Sequence, residues 1–349
     1  MIFGVYILIG LNMIDSTSKF ISIIGGSGFI GTRLAFLISK NRNFEFNIID
    51  KVLSSSFHSK TSVLDIRDVE SLSNSISEGS ILINLAAEHR DDVRPLSLYD
   101  EVNVGGARNV CKVANDTNVK TIVFTSSVAV YGFAPINTDE SGQIAPFNDY
   151  GRTKYEAEQV YKAWQAEAPD VRTLVIVRPT VAFGEQNRGN VYNLLRQIAF
   201  GKFVMVGDGK NRKSMAYVEN VAAFLQYAVT SFKPGVHIYN YIDKPDSSMN
   251  TLVGTVNRML GKPEQIGFRL PFVVGYAIGM CFDALSAITG KRFAISSIRV
   301  KKFCSNSMFD TSIAETGFVP PVPLSEALER TVRYEFIESH EGDEVFYTE

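Results

Sequence analysis

Cysteine and histidine are scarce in this chain of 349 residues, which holds three of the first and four of the second. Cys111, Cys281 and Cys304 are odd in number and widely spaced. They make neither a disulfide framework nor a Cys-x-x-Cys zinc site, and a reducing compartment is their simplest home. His58, His89, His237 and His340 contain no His-x-x-x-His pair, so no metal centre is expected. An excess of charge of either sign is also missing. Against 35 Lys and Arg stand 37 Asp and Glu, a formal net charge of -2, which provides no positive field to hold nucleic acid. Low-complexity tracts are absent, and 45% hydrophobic with 21% charged residues is a globular composition rather than a disordered one. Residues 1–14 are apolar but too short to span a bilayer and lack a basic leader. Either Met13 is the real start or this segment touches a membrane. Residues 270–288 make a longer apolar stretch, interrupted by Asp283.

What is present is a rhythm. Nearly continuous apolar runs at residues 20–24, 46–49, 81–85, 121–125 and 173–177 read as parallel strands covered on both faces. Helix-length segments at 30–40, 69–77, 97–115 and 150–167 lie between them, the last halted by Pro169. The expected fold is α/β, a Rossmann-type doubly wound parallel sheet with a smaller C-terminal substrate lobe. Residues 19–180 make the dinucleotide-binding domain, with a return segment at 214–245. Residues 181–213 and 246–335 make the substrate lobe, with helices at 190–199, 218–228 and 249–260, and residues 1–18 and 336–349 are peripheral tails.

Straight after the first strand comes Gly25-Gly26-Ser27-Gly28-Phe29-Ile30-Gly31, followed by a helix. Glycines at this spacing let the chain turn sharply, let its backbone approach a pyrophosphate, and let helix and strand pack closely. The helix N-terminus then offers N–H groups and a favourable dipole to the phosphates. Asp50 ends the second strand, about 20 residues downstream, where a carboxylate accepts both ribose hydroxyls of an adenosine and repels a 2′-phosphate. NAD is favoured over NADP. The alternative is an ordinary strand–helix turn with Asp50 at a strand end. Asp65 and Ile66 could hold the adenine by carboxylate and backbone N–H, or Asp65 could be a helix N-cap.

The fifth strand ends in Thr125-Ser126-Ser127, and a later helix begins with Tyr150-Gly151-Arg152-Thr153-Lys154. Tyrosine and lysine four apart share a helical face, so the ammonium can favour the phenolate. A serine facing that phenol would share a proton with a substrate hydroxyl, as hydride removal from a carbinol requires. The glycine loop, the acidic strand end, Asn84-Leu85-Ala86-Ala87, the serine strand, Val130-Tyr131-Gly132, Tyr150 with Lys154, then Arg178-Pro179 and Gly184 follow in that order. In this the chain resembles the extended short-chain dehydrogenase/reductase family of NAD-dependent nucleotide-sugar epimerases and dehydratases, over residues 20–334.

The resemblance implies that Gly25, Gly28 and Gly31 cradle the NAD pyrophosphate, with Gly26, Ser27, Phe29 and Ile30 completing the loop. Asp50 holds the adenosine ribose, Leu85, Ala86, Ala87 and Pro179 line the cofactor, and Lys154 binds the nicotinamide ribose while tuning Tyr150. Ser127 matches the catalytic position and Ser126 is structural. The chain departs from the family at Ile24, where a Thr is usual, and at Val181, where many relatives hold the substrate diphosphate with Asn. It departs again at Lys213, where an Arg is usual. Arg188, Arg212 and Lys213 are the candidates for that diphosphate, each alternatively a solvated charge.

Sugar 4,6-dehydratases of this family carry an acid pair after the catalytic hydroxyl residue, where this chain has Val128 and Ala129. The resemblance therefore implies a 4-epimerase that oxidises and re-reduces one carbon. Residues 85–93, 187–195 and 299–304 are similar to the bacterial undecaprenyl-diphosphate N-acetylglucosamine 4-epimerases of O-antigen and surface-polysaccharide synthesis. That similarity implies a polyprenyl-linked sugar diphosphate, with Glu88, His89, Arg90 and Ser127 at the substrate and a small Ser307 leaving room for an N-acetyl group. A soluble UDP-N-acetylglucosamine or UDP-glucose 4-epimerase is the alternative. A sensor or scaffold that binds NAD without turnover is another. The family implies a homodimer. Residues 270–288, with Lys291, Arg292, Arg299, Lys301 and Lys302 behind them, read as a peripheral contact with the cytoplasmic face of the inner membrane or as a core or dimer helix. The enzyme is expected in the cytoplasm.

Overall fold

Apolar runs and helices alternate along the chain because each run can bury both faces only if helices cover it on either side. A computed structural model describes residues 18–90, 93–291, 293 and 295–348. The N-terminal apolar stretch, Asp91, Asp92 and Arg292 lie outside the described residues. The order begins β1 (Lys19–Ile24), α1 (Phe29–Ser39), β2 (Phe44–Asp50), β3 (Thr61–Val63), α2 (Val69–Ser75), β4 (Ile81–Asn84), α3 (Ser97–Tyr99). A π-helical turn (Asp100–Gly105) carries α3 into α4 (Gly106–Asp116), then come β5 (Thr121–Thr125), a 3-10 turn (Val128–Tyr131), α5 (Asp149–Ala166) and β6 (Thr173–Pro179). Next are β7 (Val181–Phe183), α6 (Asn190–Ala199), β8 (Met205–Val206), β9 (Arg212–Tyr217), α7 (Val218–Ser231) and β10 (Gly235–Tyr241). The chain closes with β11 (Asp243–Ser248), α8 (Met249–Met259), β12 (Arg269–Leu270), α9 (Phe272–Thr289), α10 (Ser297–Cys304) and α11 (Leu324–Phe336).

Seven strands form one parallel sheet in the order β10-β6-β5-β4-β1-β2-β3. Alternate residues feed opposite cores. Ile21, Ile23, Ile48, Val123 and Val175 pack under α1 and α7, through Leu34, Ile38, Val221 and Phe224. Ile49, Leu82, Ile122, Phe124 and Ile176 pack under α4 and α5, through Val110, Val113, Tyr161 and Trp164. The order reverses between β1 and β4, which opens a crevice at the carboxyl ends of these strands, where open α/β sheets take ligands. Every candidate of the glycine loop, Asp50, the 85–90 segment and Ser127 follows the carboxyl end of such a strand.

Beyond β6 the chain builds a second layer: a three-stranded sheet β11-β9-β7, a two-stranded β12-β8, and a core under α6, α8 and α11. Within the expected return segment 214–245, β9 pairs with β7 and β11, while α7 and β10 rejoin the large layer, where Ile313 and Phe318 also pack. The C-terminal segment also departs from the expected peripheral tail. Phe346 is buried against Phe29, at 5.9 Å between ring centroids, and its backbone bonds to Gln186 O and Arg188 N. An aromatic side chain that removes this much apolar area from water holds its flanking residues down. The core reading of residues 270–288 is overturned as well. In α9, with mean hydropathy 1.6, only Gly275 and Gly279 are buried, while Val273 and Ile288 are 76% and 82% exposed.

Candidate active site

The glycine loop leaves β1 through Gly25, whose φ of 78° lies in the left-handed region. A Cβ there would stand 2.5 Å from Ala86 N, and one on Gly31 would stand 2.6 Å from Gly25 O. Both contacts are backbone and cannot yield, so loop, α1 and β4 meet at a distance only glycine permits. Gly28 differs: a Cβ there would touch only Gly25 O, at 3.5 Å, so its outer face is open. Gly28 is the N-cap of α1, and no side chain caps that helix, which leaves its first N–H groups for a ligand.

Asp50 is fixed beside this loop. Ser27 N donates to its Oδ2 and Val52 N to its Oδ1, each at 3.0 Å. Burial pushes its pKa up, and the backbone donors and Lys51 pull against that. Each oxygen keeps a lone pair for a ribose hydroxyl. Asp65 is not the helix cap. That position belongs to Asp68, which accepts from Ser71 N, while the Asp65 carboxylate is gripped by Arg67 at 2.8 Å and held below the usual carboxylate range. Ile66 is buried against Gly106.

Ser127 caps the 3-10 turn after β5, its Oγ accepting from Ala129 N at 3.1 Å. α5 begins at an Asn148 cap, which turns Tyr150 back toward that hydroxyl. The Ser127 side chain hydrogen-bonds the Tyr150 phenol and lowers its pKa, but burial outweighs this and the phenol stays above its ordinary value. Lys154 departs from expectation. Its Nζ donates to Thr125 O at 2.6 Å and stands 4.8 Å from the centre of the Phe124 ring. Burial brings its pKa down to about 7, so near neutrality it is a weak cation and does not by itself ionise Tyr150.

Several contributors have no visible signal in the sequence. Asn103, in the π-helical turn, accepts from Glu88 N at 2.8 Å and donates to Glu88 O and to Thr153 Oγ1. It thus ties the segment after β4 to the catalytic helix. π-turns gather at functional sites. Ser126 Oγ donates to Glu158 at 2.6 Å, Glu158 takes a two-pronged bond from Arg178, and Arg178 donates to Tyr131 Oη, which donates to Asn240. This buried chain braces the turn that carries Ser127. Ser126, Tyr131 and Arg178 stand in the motifs of the sequence, whereas Glu158 and Asn240 belong to none of them.

The candidates for substrate fall into separate groups. Glu88 is buried, Arg90 lies 3.4 Å from it, and His89 keeps an exposed edge while desolvation inside the cleft lowers its pKa. Arg212, Lys213 and Ser307 are brought together, since Ser307 N donates to Arg212 O and Ser214 N to Ser307 O. From there the 307–310 segment crosses to Thr138, beyond the catalytic turn. Lys213 is not free for a diphosphate: its Nζ donates to Lys302 O and Ser305 O at 2.8 and 2.7 Å, fastening the end of α10. Arg188 is likewise taken, by Glu335 at 2.8 Å and by the Tyr192 ring. The Arg212 side chain is exposed. Pro179 closes β6 at the same edge as Thr125, whose buried Oγ1 has no partner among the described residues.

The chain matches the model of the NAD dependent epimerase/dehydratase family over residues 21–241. It is 49% identical, over 94% of its own length and 98% of the relative's, to the N-acetyl-α-D-glucosaminyl-diphospho-ditrans,octacis-undecaprenol 4-epimerase of Escherichia coli O157:H7. Among solved structures it superposes on the UDP-glucose 4-epimerase of Thermotoga maritima with a TM-score of 0.71, at 20% identity, covering 90% of this chain and 98% of that one. The UDP-glucuronic acid 4-epimerase of Bacillus cereus in complex with NAD gives a TM-score of 0.70 at 19% identity, covering 90% and 98%.

Proposed function

The chain belongs to the NAD-dependent epimerase/dehydratase family, and from that premise we propose that it interconverts N-acetylglucosamine and N-acetylgalactosamine on undecaprenyl diphosphate by transient oxidation at C4. The observation that carries the chemistry is that the Ser127 side chain acts directly on the Tyr150 phenol, with Val128 and Ala129, and no acid, in the places that follow Ser127. Without an acid there, oxidation and reduction at one carbon is favoured over loss of water. The glycine cradle and Asp50 fit a dinucleotide, because the space beyond Gly28 is open and the Asp50 carboxylate is oriented with lone pairs to spare.

Bound NAD supplies a hydride acceptor and donor, together with the positive charge of its oxidised ring. Tyr150 acts as the phenolate, which takes the proton of the C4 hydroxyl and later returns it; because burial favours the neutral phenol, the charge of bound oxidised NAD would be what favours the phenolate. Ser127 Oγ, already accepting from Ala129 N, directs its own hydrogen toward the reacting oxygen and keeps phenol and sugar in line. Lys154, anchored on Thr125 O, orients the nicotinamide ribose. The buried Glu158–Arg178 pair keeps the turn in place while the 4-keto sugar presents its other face.

The lipid-linked substrate is supported by the 49% identical relative. The exposed apolar face of α9, followed by Lys291, Lys301 and Lys302, supports peripheral contact with an anionic membrane surface. Family resemblance supports a homodimer. The test gives purified protein, NAD and detergent either undecaprenyl-diphospho-N-acetylglucosamine or UDP-N-acetylglucosamine and identifies the released sugar. Galacto product from the lipid substrate alone is expected; product from the nucleotide sugar alone sinks the lipid assignment. Tyr150→Phe is expected to lose turnover by roughly 10²- to 10⁴-fold while keeping bound NAD.

A further inference from the structure

The loop that joins Ser127 to Tyr150 carries Phe133 and Phe147, whose ring centroids stand 4.9 Å apart although the residues are 48% and 44% exposed. The loop is pinned. Ala145 N donates to Val130 O, Asn137 N to Met308 O and Asp310 N to Thr138 O, each at 3.0 Å. Gly132, at φ 64°, turns it where a Cβ would strike Ala145 O. Rings held in a fixed pair at the surface, with Ile136 also exposed beside them in the loop, leave apolar area in water that the fold does not use.

Two cations stand over the rings. Lys301 Nζ is 5.3 Å from the Phe133 centroid and Lys302 Nζ is 4.4 Å from that of Phe147. Both lysines belong to α10, which is locked onto α9: Ser297 N donates to Asp283 Oδ2 at 3.1 Å, and a Cβ on Gly279 would stand 2.7 Å from Ser297 Cα. The paired rings are thus tied through Lys301 and Lys302 of α10 to α9, whose apolar side chains are exposed.

We propose that Phe133 and Phe147, flanked by Lys301 and Lys302, form the subsite for the polyprenyl end of the substrate. The rings take the first isoprene units and the two ammonium groups take the adjoining diphosphate. The inference rests on the lipid-linked reading above. Its chemistry is specific: a diphosphate relieves the repulsion between neighbouring cations, and branched isoprene units cover the exposed parts of the rings that a short alkyl group leaves wet. The chain would then continue toward α9, so that the sugar reaches the serine–tyrosine pair while the lipid stays at the membrane side.

The experiment compares methyl-, geranyl- and undecaprenyl-diphospho-N-acetylglucosamine in detergent. With the wild-type enzyme, KM is expected to fall by about tenfold or more from the methyl to the geranyl compound and to change little beyond it. Phe133→Ser with Phe147→Ser is expected to erase that fall, with kcat, bound NAD and the methyl-substrate KM unchanged. Lys301→Gln with Lys302→Gln is expected to raise KM on all the diphosphates alike. A wild-type KM independent of chain length overturns the subsite, and so does a serine variant that harms long and short substrates equally, as a folding defect or a contact between copies would. If the wild-type enzyme converts no lipid-linked sugar of any length, the reading of the function falls instead.

Discussion

Lys154 shows how far one side chain's chemistry depends on its surroundings. Burial lowers its folded pKa to about 7 from 10.5, so between those values the folded chain binds fewer protons than the unfolded one. Its destabilising contribution is thus fully present below about pH 7 and fades as pH rises toward 10.5. Lys154→Met removes that penalty. The melting temperature of the variant relative to wild type is expected to move upward as pH falls from the alkaline side to neutrality, and turnover is expected to be lost. A difference in melting temperature that is flat with pH would mean that Lys154 titrates in the native protein as it does in solution. Tyr150 points the same way, since its raised pKa keeps the phenol protonated at neutrality in the free chain, so the rate is expected to climb with pH. The identity and spacing of the two residues are legible in the sequence. The state of the lysine is not, because its dominant cause is desolvation by strands and helices distant in the chain.

Elements were legible where their signal is local. The glycine loop was read from its spacing and its place between a strand and a helix, and the geometry shows a close approach there: at Gly31 the nearest neighbours of an added Cβ are backbone atoms of Gly25 and Gly26, at 2.6 Å. Gly31→Ala must push α1 off β1. The expected outcome is loss of co-purifying NAD, measured as the 260 to 280 nm absorbance ratio, with a destabilisation of about 1–3 kcal/mol typical of overpacking. Retained NAD at full occupancy would disprove the cradle. Helices α5, α6 and α8 were likewise found close to their observed bounds. The C-terminal segment was not. It is acidic and has no periodic pattern, and what anchors it is Phe346, packed on Phe29 from the other end of the chain and bonded through its backbone to Gln186 and Arg188. The π-helical turn was missed for a related reason, since hydrophobic periodicity does not register one extra residue in a turn, and what Asn103 bonds, Glu88 and Thr153, lies far from it in the chain.

For the whole molecule, the unusual surface is α9 with α10. Its apolar residues face outward, and Lys291, Lys301 and Lys302 lie close by in the chain. Val273→Ser, Ile278→Ser and Ile288→Ser together alter only side chains that are 76%, 39% and 82% exposed, so the fold is expected to survive. In flotation with vesicles containing anionic lipid, wild-type protein is expected to rise with the lipid and the triple variant to remain below. The wild-type interaction is expected to weaken with salt. Equal flotation of both proteins would remove α9 from the membrane contact.

The sequence by itself determined the doubly wound sheet, and it offered the glycine loop, the acidic strand end, Tyr150 and Lys154 as candidates for the site, with Ser127 added by family resemblance. These rest on local periodicity, on glycine's freedom and on fixed spacing within single elements. Only the tertiary structure decided that Lys154 leans on Thr125 rather than on Tyr150, that Lys213 and Arg188 are already bonded, and that α9 lies outside the core. Hydropathy is the same number for a helix in a core and a helix on a surface. Burial and pairing are set by neighbours far away in the chain, and those exist only once it has folded.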